Sequence, residues 1–204
     1  MSHTDDLAYL RSVAEAGQQA ASLSGRFFLW WGGLAAPALL AHWALVSGLT
    51  GLNTAYVGFV WLAYGLIGMA GSVVLGRSLR NKPGSGAVNN RGEGAVWNGV
   101  MWMIAAYAIG IVIAAFAGRA EMILFDTIPL VAFGGYGVSF WVASKLGGPK
   151  WMRPLSVISW LAAGGGMLLV GTPGLYLYCA AAVVILAVLP GLTLVRNEPK
   201  TSQA

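Results

Sequence analysis

Six apolar runs, at residues 27–48, 55–76, 96–117, 123–145, 154–171 and 174–195, hold between them a single acid, Asp126, and a single terminal base, Lys145. No other feature constrains the fold as strongly. As α-helix, runs of about 18–23 residues cover about 27–35 Å, which matches the hydrocarbon core of a bilayer. Lipid offers no partner to an unpaired backbone group, so segments that cross it must be helices. Composition agrees: only 9% of the 204 residues are charged, 57% are hydrophobic, and the mean hydropathy is +0.70. A soluble domain carries about 25% charged residues, and this chain has too few to cover a water-soluble core. The expected fold is all-α: a polytopic integral membrane protein of six transmembrane helices.

The basic residues orient these helices. Eleven of the twelve Lys and Arg fall before run 1, between runs 2 and 3, around the connection of runs 4 and 5, or after run 6; only Arg119 falls on the other side. That bias predicts both termini in the cytoplasm. The turns at 48–54, 118–122 and 172–173 are short, whereas the basic connections contain proline (RNKPG at 80–84, SKLGGPK at 144–150, VRNEPK at 195–200). The pattern predicts three consecutive helix hairpins, 27–76, 96–145 and 154–195, within a membrane domain over 26–197. Runs 2 and 4 share an aromatic-Gly element, YGLIG at 64–68 and FGGYG at 133–137. The glycine-rich part of 77–95 reads as a flexible cytoplasmic link, and 198–204 as a short cytoplasmic tail. In helix number and size the pattern is similar to small bacterial inner-membrane proteins built as three hairpins, and to the substrate-capture subunits of vitamin importers. No motif carries that likeness; it implies the cytoplasmic membrane of a bacterium.

Several function classes are excluded or disfavoured. The net charge of +5 does not indicate nucleic-acid binding, because the basic residues flank apolar runs and form no patch with interleaved aromatics. The lone Cys179 and the scarcity of histidine give no metal-ligand spacing and no disulfide framework. Paired carboxylates, nucleophile motifs and a phosphate loop are missing, so neither an enzyme nor a cofactor is expected. No basic leader followed by an early apolar segment is visible, and insertion is expected to rely on run 1.

Asp126 and His42 are the ionisable residues that matter inside the runs. Asp126 stands three residues before Pro129, where a helix entering from the outer face would begin. It reads first as the polar cap of that helix. A solute or proton role, or a salt bridge to Arg119, are the alternatives. His42 lies at a comparable depth, either as an interfacial histidine beside Trp43 or as the partner of Asp126 in a pH-dependent site. Tyr64, Tyr107, Tyr136 and Tyr178 supply hydroxyls to any such site. The glycines, with Gly68, Ser72, Gly134, Gly137, Gly164 and Gly165 foremost, read as close-packing positions between helices. Most tryptophans, among them Trp30, Trp31, Trp97 and Trp141, read as interfacial belts.

Residues 4–24 read as an amphipathic helix on the cytoplasmic side, and 1–25 as the segment that contains it. Its polar face is mixed in charge, which suits docking on the bundle or on a partner protein better than lying on a membrane. The favoured function is therefore a non-catalytic, partner-binding or regulatory subunit of a membrane complex, with a homo-oligomer also open. The alternative is a small transporter, channel or solute-capture subunit with a site toward the outer half.

Overall fold

The computed structural model describes residues 21–198, and every described element is helical. The amphipathic helix expected over 4–24 and the tail over 198–204 lie largely outside the described residues. Residues 21–23 are non-helical, so a helix does not run on to residue 24.

The described residues form six rods: α1 Gly25–Val46, α2 Tyr56–Leu79, α3 Val88–Phe116, α4 Met122–Lys145, α5 Met152–Gly166 and α6 Gly174–Arg196. All but α5 are long and apolar enough to cross a membrane. Helix α5 has 15 residues and tightens into a 3-10 turn, Met167–Leu169. The poor helix propensity of Gly164-Gly165-Gly166 accounts for that tightening. A π-helical turn, Val184–Val188, interrupts α6 just before Pro190. Proline lacks an N–H and its ring collides with the carbonyl four residues back, so the ladder there widens rather than breaks. Helix α3 already begins at Val88, so the glycine-rich stretch expected as a flexible link is helical over most of its second half.

The packing order is α2–α1–α6 on one side and α3–α4–α5 on the other. Helices α5 and α6, joined by a short turn, touch each other less than α5 touches α4 or α6 touches α1. Helix α6 is the most enclosed, with half of its apolar window buried, whereas α2 has 6% buried and α3 11%. Those two helices flank the bundle, each held mainly by one neighbour. The main core joins α1, α4, α5 and α6 through Leu39, Phe133, Ala162, Leu175 and Leu186. A second core lies at the end that carries most of the basic residues, where Phe28 meets Trp97 at 4.8 Å and Phe140 at 5.6 Å between ring centroids.

Polar contacts close that basic end. Glu93 is buried and accepts from the hydroxyls of Ser22 (2.9 Å) and Ser24 (2.6 Å). Asn90 accepts from Leu23 N and donates to the carbonyls of Ala21 and Gly84. Glu198 pairs with Arg26, whose Nη2 stands 3.0 Å away, and with Lys82. The segment before α1 and the segment after α6 are thus fastened across the same face.

Candidate functional site

Five segments meet at the end opposite the basic one: the last turns of α1, the first turns of α2, the 3-10 start of α4, the turn at Gly171 and the start of α6. They bring together His42, Trp61, Asp126 and Tyr176. Asp126 closes the 3-10 turn Met122–Asp126, from which the regular helix departs at Thr127. It occupies the cap position, but its carboxylate makes no capping hydrogen bond. The Tyr176 hydroxyl donates to one oxygen and the Gly171 N–H donates to the other at 2.8 Å. Asp126 thus stands at the helix start where the cap was expected, with its carboxylate turned to Tyr176 and Gly171 instead of to the N–H groups of its own helix. Gly171 has φ +82°, a left-handed conformation that glycine adopts without strain, and it lets the turn aim its N–H at the carboxylate. Arg119 does not take part.

His42 faces the same cluster. Trp61 Nε1 donates to His42 Nδ1 at 3.1 Å, so Nδ1 carries a lone pair and the neutral ring holds its proton on Nε2. The imidazole lies over the Tyr176 ring, with centroids 3.6 Å apart and planes inclined by 30°. Asp126 and His42 therefore converge, with Tyr176 interposed: it hydrogen-bonds the carboxylate and stacks on the imidazole. All three are buried, and Cys179, one turn further along α6, is wholly so. Each hydrogen bond described here also serves the fold. Asp126 holds α4 to the α5–α6 turn, and Trp61 with His42 holds α2 to α1. The carboxylate and the hydroxyl are hydrogen-bonded to each other, whereas the imidazole meets Tyr176 through its ring face, so the three ionisable groups are neighbours without a continuous hydrogen-bonded path between His42 and Asp126.

The tyrosines named from sequence surround the cluster without hydrogen-bonding to Asp126 or His42. Tyr107 shares a hydrogen bond with Thr127 (2.8 Å) on the outside of the α3–α4 pair. Tyr64 packs edge-on to Trp31 and Trp61, each at 5.3 Å, and Tyr136 packs on Trp97 at 5.3 Å. Tyr178 donates to the Ala162 carbonyl at 2.9 Å. Sequence reasoning missed Tyr176 and Trp61. The available signal was position: both stand within about two helical turns of the same end as His42 and Asp126.

The glycines divide sharply. A Cβ at Gly68 would stand 2.3 Å from the Trp31 ring, at Gly137 2.1 Å from Trp160 Nε1, and at Gly165 3.0 Å from the Tyr178 hydroxyl, whereas nothing lies within 4 Å of one at Gly134 or Gly164. Ser72 accepts from Trp31 Nε1 at 2.9 Å, and the Gly68 carbonyl accepts from Trp30 Nε1 at 3.0 Å. Trp30 and Trp31 are thus inter-helix anchors. The two aromatic-Gly elements have the same use: each receives an indole from a neighbouring helix, Trp31 over Gly68 and Trp160 over Gly137.

Among the described residues no group of three His, Cys, Asp or Glu side chains comes together as a metal site would need. No protein-family model, curated protein or solved structure matches the chain.

Proposed function

We propose that this chain is a non-catalytic integral membrane protein that crosses the bilayer six times, with both termini on the basic, cytoplasmic side of a bacterial inner membrane, and that it works by binding a partner within a membrane complex. The exposure of α2 and α3 carries this reading: each leans on one neighbour and leaves the rest of its apolar circumference uncovered. A helix held by one neighbour keeps a second face free for a helix of another protein. The polar interior supports the reading as well, since the buried acids Asp126, Glu93 and Glu198 are all engaged by groups of the chain itself.

The arm before Ala21 is the second contact device in this reading. Deleting residues 1–20 keeps the Ser22 and Ser24 bonds to Glu93, so the bundle should insert and fold while the complex is lost. An unchanged set of co-purifying proteins after that deletion would refute the proposal. Protease-accessible reporters fused to either end, tested on intact cells, check the six-span topology; cleavage from outside would overturn it.

The convergence of His42 and Asp126 through Tyr176 favours one second reading, a proton-linked transporter or solute-capture subunit. Asp126→Asn and His42→Ala would then alter uptake or binding between pH 5 and 8. Solute handling that ignores both substitutions removes these residues from any mechanism.

A further inference from the structure

We propose that the outer face of the α4–α5 pair, at its basic end, binds one anionic phospholipid, with the headgroup phosphate between Lys145 and Arg153 and an acyl chain along Trp141 and Trp160. The inference rests on reading the chain as a membrane protein. It is independent of whether a protein partner exists.

Helices α4 and α5 are closely packed and run in opposite directions, with Gly137 against Trp160 and Leu130 against Gly166. Lys145 ends α4 and Arg153 is the second residue of α5, so the two cations stand at the same level, and both are exposed. Among the described residues neither stands in an ion pair. Of the four acids among the described residues, Glu198 is taken by Arg26 and Lys82, Glu93 is engaged by two serines, and Glu121 and Asp126 lie at the other end. Two unpaired cations at the mouth of a helix pair are what a phosphate headgroup recognises.

An aromatic shelf lies beneath them. Lys145 Nζ sits 5.1 Å from the centre of the Trp141 ring, and the Trp141 and Trp160 rings lie 6.1 Å apart. Trp141 is four residues from Lys145, and Trp160 seven from Arg153, so each cation heads a helical column containing an indole. The rings lie about 6 Å and 10 Å below the cations, the depth of the glycerol and upper acyl region. Both remain some two-fifths exposed (42% and 41%), although Trp160 is fixed in place by its bond to the Gly134 carbonyl (3.2 Å) and by the bare backbone of Gly137 beneath it. A rigid aromatic surface that stays open below paired cations complements an amphiphile with an anionic head. Free phosphate would use only the cations.

The test uses the full chain purified in a non-ionic detergent, with native mass spectrometry after addition of phosphatidylglycerol or of phosphatidylcholine with the same acyl chains. One phosphatidylglycerol should be retained, about tenfold more tightly than phosphatidylcholine. K145Q/R153Q should abolish that preference, whereas R77Q/R80Q, which removes as much charge from the same end, should keep it. Millimolar inorganic phosphate should not displace the lipid. Equal retention of the two lipids, equal loss in both double variants, or displacement by inorganic phosphate would each overturn the site. Recovery of the unaltered protein from aqueous buffer without detergent would instead sink the membrane reading beneath it.

Discussion

Asp126 accepts two hydrogen bonds, from the Tyr176 hydroxyl and the Gly171 N–H, and so fastens the start of α4 to the turn that precedes α6. Bonds to a charged acceptor are worth about 1.5–3 kcal/mol, and a buried donor left unpaired costs a similar amount. Tyr176→Phe is therefore expected to lower stability by about 1.5–3 kcal/mol, and Asp126→Ala by more, because it strands both donors. Unfolding titrations in mixed micelles measure both; an unaltered midpoint in Asp126→Ala would show that the carboxylate holds nothing together. Asp126 and His42 were legible in the sequence because ionisable residues within apolar runs stand out. Tyr176 and Trp61 were not, because an aromatic residue in an apolar run looks the same whether it meets lipid, a core or a carboxylate. Glu93 and Glu198 were missed for the converse reason: an acid in a polar connection gives no sign that it will be buried.

At the scale of helices, an indole laid on bare backbone recurs. Trp30 and Trp31 of α1 cover Gly71 and Gly68 of α2, and Trp160 of α5 covers Gly137 of α4. Such contacts suit a membrane, where water drives no helix together and close packing with hydrogen bonds must do so. Ala at Gly68 or Gly71 would force a methyl group against an indole, at an expected cost of about 1–3 kcal/mol. Ala at Gly58 or Gly65 meets nothing within 4 Å. There the loss of glycine's backbone freedom should leave stability unchanged or raise it by about 0.5–1 kcal/mol. Cysteine cross-linking between α1 and α2, measured beside the unfolding midpoint, separates the two classes; equal effects at all four positions would refute the packing account. The aromatic-Gly elements were visible as a repeated pattern, but which glycines are covered depends on helix rotation, which one chain's local sequence does not set.

At the scale of the whole molecule, Glu198 gathers Arg26 from the start of α1 and Lys82 from the α2–α3 connection, and so ties the end of the described chain to its beginning. Arg26 is about one-third exposed, which weakens its share, so Glu198→Ala should cost on the order of 2 kcal/mol. Faster proteolysis at the 80–87 connection of the detergent-solubilised protein would report it, and an unchanged cleavage rate would count against the tie. The apolar runs and the placement of the basic residues were enough to establish an all-helical chain of membrane character. That follows because the solvent available to such long uncharged stretches dictates their secondary structure. Pairing of the helices was a different matter. That α6 lies along α1, that α5 prefers α4, and that Tyr176 comes between His42 and Asp126 depended on which surfaces fit, and only the folded chain brings those surfaces together.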